Sequence, residues 1–175
     1  MKIVCSQEEE PLGTAGPVRL ARQLLLGEEG GMSKDPHAFF FIFNSDVVCE
    51  YPLAEMLECH KSHGREATML TTQVEDPSKY GVVVPAPNVT AAHTTASSGS
   101  AFQEVESWGR VARFFEKPKE FVTNRVNAGI YILNKSVIDR IELKPHFLEK
   151  DIFPKLAENG QLYYCTLKGF WMDLG

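Results

Sequence analysis

The feature that most limits the fold of this chain is the run Phe39–Phe43, five large apolar residues without a polar interruption. Its length is that of a strand, and its lack of alternation indicates a strand covered on both faces. The run stops abruptly at Asn44-Ser45-Asp46. It therefore predicts a buried strand whose carboxyl end opens directly into a polar turn.

The other elements follow from apolar spacing and from proline and glycine positions. We expect strands at 2–5, 67–74, 81–84, 111–116, 126–133 and 162–167, and helices at 17–26, 52–64, 136–141 and 148–157. Strands and helices alternate at first, and strands then gather in the middle of the chain. This order predicts an α/β domain with a mixed sheet. Residues 85–109 are rich in Thr, Ser, Ala and Pro, and this composition predicts a flexible surface insertion.

Composition excludes several classes of protein. The chain has 175 residues, 43% of them hydrophobic, and a net charge of −5, which fits one globular domain and argues against a nucleic-acid binder. No apolar run approaches the roughly 20 residues of a membrane span, and the acidic start is unlike a signal peptide. The four cysteines form no CxxC pair, so we expect reduced thiols in a cytoplasmic protein.

Asp46 is the first candidate site residue, because ligands of open α/β sheets bind beyond the carboxyl ends of strands. A carboxylate there is a suitable ligand for Mg²⁺, which takes one or two carboxylates and shares the rest with phosphates and water. The alternative is an ordinary turn residue, since Asn-Ser-Asp is also common turn chemistry.

Two further segments carry groups suited to an anionic ligand. The loop Leu12–Pro17 enters a helix, and its glycines permit close backbone approach, although such a loop is more often only a turn. In Glu116-Lys117-Pro118, the proline favours an extended Lys117 whose ammonium could meet a phosphate. Without further context, a solvated ion pair explains the same residues.

Three more segments place polar groups beside small residues: Lys79-Tyr80-Gly81, Asn127-Ala128-Gly129 and Gly169–Gly175. Each has an equally good structural explanation. The five histidines are scattered, His60 fits a packed position on a helix, and no nucleophile constellation stands out. Residue chemistry alone therefore predicts an α/β domain with a phosphate and Mg²⁺ site.

Six segments in register add a family resemblance. EEEPLGTAGPV, FNSDVVCEYPL, PSKYGVVV, FFEKPKEFV, VNAGIYIL and GFWMDLG occur in this order and cover nearly the whole chain apart from 85–109. This series resembles the mannose-1-phosphate guanylyltransferases of the catalytic, beta type, within the sugar nucleotidyltransferases. The resemblance implies a Rossmann-like nucleotide-diphospho-sugar transferase domain with a mixed, mostly parallel sheet.

The resemblance also implies a reaction, in which GMP passes from GTP to mannose 1-phosphate with Mg²⁺, giving GDP-mannose and pyrophosphate. Matching positions then imply roles. Gly13, Thr14 and Ala15 resemble the guanine-contacting loop, and Asp46 and Asp173 resemble the Mg²⁺ carboxylates. The sugar phosphate and hexose would be held by Tyr80, Gly81, Glu116, Lys117, Asn127 and Gly129, with Asp46, Lys117 and Asp173 as the catalytic residues. Trp171 is expected to pack beneath Asp173.

Two departures qualify this resemblance. Nothing in the chain resembles the family signature Gly-Gly-x-Gly-Thr-Arg-Leu or its C-terminal left-handed β-helix. We therefore expect 1–175 to be a partial catalytic domain, incomplete at the N-terminus, with unpaired sheet edges and weak activity alone. The alternatives are a truncated non-catalytic or regulatory subunit, an enzyme for another sugar 1-phosphate or nucleotide, and a fragment without function. A homo-oligomer or a regulatory subunit is the expected protein partner.

Overall fold

The computed structural model describes residues 3–26, 35, 38–87 and 107–175. The helices in these residues are α1 (Gly16–Leu20), α2 (Arg22–Leu26), α3 (Leu53–His63), α4 (Lys135–Ile138) and α5 (Phe153–Glu158), and a π-helical turn, Leu148–Ile152, leads into α5. The strands are β1 (Phe39–Phe43), β2 (Val47–Cys49), β3 (Ala67–Gln73), β4 (Gly81–Pro85), β5 (Trp108–Glu116), β6 (Arg125–Asn134), β7 (Leu162–Thr166) and β8 (Trp171–Asp173). None of the helices described is long and apolar enough to span a bilayer.

Six strands form one sheet in the order β1-β6-β3-β7-β5-β4, and β2 pairs with β8 in a separate two-stranded ribbon. The mixed α/β architecture expected from the sequence is confirmed. The finer expectation of a mostly parallel sheet needs a correction. Only the β3–β7 ladder of the described sheet is parallel, because β5 and β6 run opposite to the other four strands and lie between them.

The apolar run Phe39–Phe43 is a strand, as predicted, but it lies at an edge of the described sheet and pairs antiparallel with β6. Phe40 and Ile42 pack against one core cluster, and Phe39 and Phe41 pack against the other. Both faces are thus covered. The first four residues are only partly buried and Phe43 is exposed, because an edge strand has a neighbour on one side alone.

Two apolar clusters, one on each face of the sheet, form the core. β6 contributes to both, because successive residues of a strand point to opposite faces. Tyr131 and Leu133 join the cluster under α5, which contains Phe153. Ile130 and Ile132 join the cluster under α3, which contains Met56. Burying a side chain of this size contributes about 1.5–3 kcal/mol, so β6 is the strand on which both halves of the core depend.

Several predicted elements differ in the structure. Residues 3–5 form no strand, and Ile3 and Val4 are exposed without a partner strand among the described residues. The helix expected at 17–26 is divided at Ala21 into α1 and α2. The helix expected at 136–141 is the single turn α4, and the one expected at 148–157 begins as the π-helical turn.

The expected insertion at 85–109 is bounded more narrowly than predicted, since Pro85 belongs to β4 and Trp108 begins β5. Residues 88–106 of this prediction lie outside the described residues. The ribbon of β2 and β8 was not predicted, because three-residue strands leave almost no periodic signal.

His60 is packed, as expected, and belongs to a relay of hydrogen bonds beneath α3. The backbone N–H of Arg65 donates to His63 Nδ1 at 2.9 Å, so His63 Nε2 carries the proton and donates to Thr68 Oγ1 at 2.7 Å. The Thr68 hydroxyl then donates to His60 Nδ1, and His60 Nε2 donates to Asn134 Oδ1, each at 2.8 Å. The relay assigns both rings to the neutral state.

This relay predicts a loss of stability in mild acid. The pKa of His63 is lowered to about 3, chiefly by burial and in addition by the neighbouring His60 and Arg65. Burial also lowers the pKa of His60 from 6.5. Below about pH 6.5 the unfolded chain binds more protons than the folded one. The stabilisation is therefore fully present above pH 6.5 and is lost as the pH falls towards 3.

Urea unfolding at several values between pH 5.5 and 7.5 measures this effect. We expect the free energy of unfolding to decrease as the pH is lowered. We expect His63→Gln to reduce the slope of the free energy of unfolding against pH by up to about 1.4 kcal/mol per pH unit. An identical slope in the two proteins would show that His63 takes up no proton on unfolding.

Candidate active site

A cavity of about 320 Å³ opens where the ends of several strands meet. Nine of the eleven residues predicted for the site line it, and they come from six separate segments of the chain: Thr14, Asp46, Tyr80, Gly81, Glu116, Lys117, Asn127, Gly129 and Asp173. Its volume lies at the lower end of the range of about 300–1,000 Å³ for small-molecule pockets. The fold therefore brings together residues up to 159 positions apart in the sequence, from Thr14 to Asp173.

The β2–β8 ribbon brings the two predicted metal carboxylates together. Asp46 directly precedes β2, and Asp173 pairs with Val47 across the ribbon. The Leu174 N–H donates to the Asp46 carbonyl at 2.8 Å, and the Gly175 N–H donates to Asp173 Oδ1 at 3.0 Å. A Cβ placed on Gly175 would lie 3.2 Å from Asp46 Oδ2 and 3.4 Å from Asp173 Oδ1. Both carboxylates thus converge on one small space.

Trp171 anchors this ribbon to the main sheet. Its indole Nε1–H donates to the Ala128 carbonyl of β6 at 3.1 Å, and its ring meets the Tyr80 ring edge-to-face at 5.4 Å. It also packs against the cluster under α3. Since residues two apart on a strand share a face, Trp171 supports the face of β8 that carries Asp173.

The segment Asn127-Ala128-Gly129 of β6 forms another wall of the cavity. Gly129 has φ of +79°, and its N–H donates to Asn127 Oδ1 at 3.0 Å. Asn127 Nδ2 donates in turn to the Tyr131 hydroxyl at 2.7 Å. The Gly129 carbonyl accepts the Asn44 N–H at 2.8 Å. These bonds fix the turn that leads from β1 to Asp46.

At the end of β5, Glu116 faces Gly81 across the β4–β5 ladder. Lys117 has φ of +46° and its side chain is 64% exposed, with Nζ 3.9 Å from Glu116 Oε1. The extended backbone expected for Lys117 is therefore wrong. The Lys117 N–H donates to the Tyr80 carbonyl at 3.2 Å, and this bond holds a conformation that costs a non-glycine residue about 1–3 kcal/mol.

The three residues of the loop Gly13-Thr14-Ala15 lie in different surroundings. Thr14 Oγ1 donates to Glu149 Oε2 at 2.5 Å and accepts the Leu148 N–H at 2.9 Å. Ala15 is buried in the core, and its backbone N–H donates a hydrogen bond to the His146 carbonyl at 2.9 Å. Of this loop only Thr14 lines the cavity, while Gly13 packs against residues 146 and 147.

Eight lining residues were not among the predicted site residues. Five of them lie within two positions of a predicted one: Asn44, Val47, Lys79, Ala128 and Trp171. The remaining three are Phe147, Glu149 and Lys150. Asn44 was interpreted only as part of the turn before Asp46. Phe147, Glu149 and Lys150 lie in or beside a segment whose spacing predicts a packed helix, and no local motif marks its polar residues as functional.

The lining charges are mixed. The carboxylates are Asp46, Glu116, Glu149 and Asp173, and the lysines are Lys79, Lys117 and Lys150. Burial raises the pKa of Glu116, and the negative charge of Glu149 raises it further. The positive charges of Lys117 and Lys150 oppose this effect and lower the pKa. A carboxyl with a raised pKa in a cleft is typical of functional sites.

A sequence model of the family described as nucleotidyl transferase matches residues 1–175 of the chain. The chain belongs to the nucleotidyl transferase family. It is 53% identical over 175 residues to mannose-1-phosphate guanylyltransferase 1 of Arabidopsis thaliana, and 47% identical to the mannose-1-phosphate guanylyltransferase catalytic subunit beta of Xenopus tropicalis. The match covers all of this chain and 41% of each relative. The resemblance inferred from the six sequence segments is confirmed.

Solved structures support the fold of this nucleotidyl transferase domain. A putative glucose-1-phosphate thymidylyltransferase from Bacillus anthracis, in complex with a sucrose, matches with a TM-score of 0.67 and 21% identity, covering 95% of this chain and 57% of that one. A UDP-glucose pyrophosphorylase complexed with UDP-glucose matches with a TM-score of 0.67 and 17% identity, covering 95% and 59%. At these identities the likeness concerns the fold alone.

The close contacts of Gly129 give a stability prediction with a matched control. A Cβ there would lie 2.8 Å from Val47 Cγ2 and 3.2 Å from Asn44 Cβ, whereas at Gly64, with φ of +59°, it would meet nothing within 4 Å. Both alanine variants carry the cost of a left-handed residue, about 1–2 kcal/mol. We expect Gly129→Ala to lose roughly 1–3 kcal/mol more, through overpacking, in urea unfolding. Equal losses would show that Val47 and Asn44 give way without cost.

Proposed function

We propose that this chain belongs to an enzyme that transfers GMP from GTP to mannose 1-phosphate, giving GDP-mannose and pyrophosphate. The observation that carries the proposal is the convergence of nine predicted site residues on one cavity. The proposed substrates are those of the mannose-1-phosphate guanylyltransferases to which the chain is 47–53% identical. The chain spans about 41% of the length of those relatives, so the activity of the whole protein is part of the proposal.

The chemistry of the donor set fits Mg²⁺. Asp46 and Asp173 offer hard carboxylate oxygens on one side of the cavity. Within the described parts of the chain no group of three or more His, Cys, Asp or Glu side chains could hold a metal. A pair of carboxylates suits Mg²⁺, which completes its shell with water and substrate phosphates, whereas a zinc site would need more protein ligands.

Charge gives a second argument for a cation at this position. A phosphate placed beside Asp46 and Asp173 would be repelled by both carboxylates. When bound, Mg²⁺ would neutralise this repulsion and the charge that develops on the phosphate oxygens. We propose that the two aspartates hold the metal, and that other residues hold the substrates.

In the proposed reaction an oxygen of the sugar phosphate attacks the α-phosphorus of GTP in line. A phosphorus–oxygen bond forms there, and the bond to the β-phosphate oxygen breaks, releasing pyrophosphate. No covalent enzyme intermediate is needed, so the chain's task is positioning and charge neutralisation. Lys117 would hold the sugar phosphate, Glu116 the sugar hydroxyls, and Tyr80, Gly81, Asn127 and Gly129 the hexose.

The proposed nucleotide contacts are supported less evenly by the structure. Thr14 reaches the cavity and would contact the guanine. Gly13 would act by allowing the loop to lie against residues 146 and 147. The backbone N–H of Ala15 is already occupied by the His146 carbonyl. We also propose a cytoplasmic location, which the four unbridged cysteines support.

The direct test is pyrophosphate release by the 175-residue chain with GTP, mannose 1-phosphate and Mg²⁺. Turnover that requires mannose 1-phosphate would support the proposal. So would a lower rate when glucose 1-phosphate replaces mannose 1-phosphate, or when UTP replaces GTP. Binding of both substrates without turnover would favour a non-catalytic or regulatory role. Binding of neither would contradict both functions.

Loss of one metal carboxylate should be visible without turnover. We expect Asp46→Ala to weaken the binding of Mn²⁺, used as a Mg²⁺ substitute, by about tenfold or more, and to abolish pyrophosphate release, because one charged ligand is lost. Calorimetric titration measures the binding. Glu75→Gln, at an exposed carboxylate that does not line the cavity, is the control. Turnover of Asp46→Ala within about tenfold of the parent, or 1.4 kcal/mol of barrier, would exclude a metal role.

Lys117 and Lys119 provide a matched pair for the phosphate contact. Both are exposed, but only Lys117 lines the cavity. We expect Lys117→Met to weaken mannose 1-phosphate binding by about tenfold or more, since a hydrogen bond to a charged group is worth about 1.5–3 kcal/mol. Lys119→Met should leave it unchanged. Equal affinities for the two variants would remove Lys117 from the sugar-phosphate site.

A further inference from the structure

A second cavity, of about 670 Å³, lies between α3, β7 and the start of β5. Its lining residues differ from those of the first cavity, and they include the segment Leu167-Lys168-Gly169 that joins β7 to β8. Nothing in the proposed transfer reaction uses this cavity. Its distinctive feature is chemical, because two of its lining residues are cysteines.

The two cysteines meet across an element boundary. Cys59 lies on α3 and is 4% exposed, and Cys165 lies on β7 and is 6% exposed. Their side chains are joined by a hydrogen bond, and neither is bridged to another cysteine. Although they are buried among apolar residues of the same cluster, both lie on a cavity wall that a small molecule can reach.

The pair is asymmetric. The Cys59 thiol donates to Cys165 Sγ and so lowers the pKa of Cys165, with burial and Glu55 opposing this effect and Lys168 supporting it. The same bond, together with burial, raises the pKa of Cys59. Since the thiolate is the reactive form, Cys165 is the better nucleophile and Cys59 the better proton donor.

We propose that Cys59 and Cys165 form an oxidisable dithiol site that a small peroxide enters through the second cavity and closes into a disulfide. In the first step the Cys165 thiolate attacks one oxygen of hydrogen peroxide. The oxygen–oxygen bond breaks, a sulfenic acid forms on Cys165, and the departing hydroxide takes up the proton that Cys165 released.

In the second step Cys59 sulfur attacks Cys165 sulfur and displaces hydroxide, which leaves as water with the Cys59 proton. The two thiols lose two electrons in total, and the peroxide is reduced to two molecules of water. The bridge would tie α3 to β7, the strand that leads through the cavity wall to β8 and Asp173.

The other cysteines lack these features. Cys5 is exposed. Cys49 is buried in the same cluster, but it does not line the cavity, and its sulfur accepts the Tyr51 N–H at 3.3 Å. Cys49 is therefore an internal reference for a buried thiol without a neighbour on a cavity wall.

The first experiment uses the full chain with Cys5→Ser, which removes the exposed thiol and leaves three. After treatment with hydrogen peroxide, we expect two of the three thiols to disappear and to return on reduction. Peptide mapping without reductant should recover Cys59 linked to Cys165. Persistence of all three thiols, or their loss without this linked peptide, would overturn the proposal.

The second experiment tests the order of attack in the same background. Cys59→Ser should stop at the sulfenic acid, so that dimedone labels Cys165. Cys165→Ser should slow peroxide oxidation of Cys59 by about tenfold or more, because the low-pKa partner is gone. Cys49→Ser is the control and should leave the linked peptide unchanged. Dimedone labelling of Cys59 but not of Cys165 would contradict the assigned roles.

Discussion

The backbone pairing of β6 with β1 and β3 is the interaction on which the rest of the structure depends. Residues of β6 face Phe39–Phe43 on one side and Ala67–Gln73 on the other. Because its side chains alternate between the two core clusters, the same strand also fixes the helices on both faces. Its cavity end, Asn127-Ala128-Gly129, anchors the turn that carries Asp46 and receives the indole N–H of Trp171. The position of the site is therefore a consequence of how β6 is held.

The cavity combines rigid and strained parts. The aspartates are placed by a short ribbon of three residue pairs, which the indole hydrogen bond of Trp171 attaches to the sheet. Lys117 is kept in a left-handed conformation by its bond to the Tyr80 carbonyl. Such strain persists only where neighbouring structure holds it, and it is common at sites that bind ligands. The second cavity lies along the connection from β7 to the ribbon, so the chain that carries Asp173 borders both cavities.

Much of the fold could be predicted from local pattern. The strands at Phe39–Phe43, Ala67–Gln73 and Leu162–Thr166 and the helix Leu53–His63 follow from apolar runs and periodicity, with Gly64 closing the helix in a left-handed conformation. The strand expected at 2–5 was wrong for residues 3–5, because apolar residues form a strand only where a partner exists. The ribbon was missed for a similar reason, since its two halves are three residues long each and are separated by more than 120 residues.

By itself, the sequence determined the mixed α/β class, because apolar runs, periodicity and turn residues are local signals. The family resemblance carried by six segments implied nine of the residues that line the cavity. Only the tertiary structure decided which of these residues are accessible. Packing buried Ala15 while leaving Thr14 on the cavity wall, and it added Glu149 and Lys150 from a helix whose spacing indicated only a core position. It also brought Cys59 and Cys165 together. Contacts between distant segments depend on sheet order and register, and no window of the sequence contains that information.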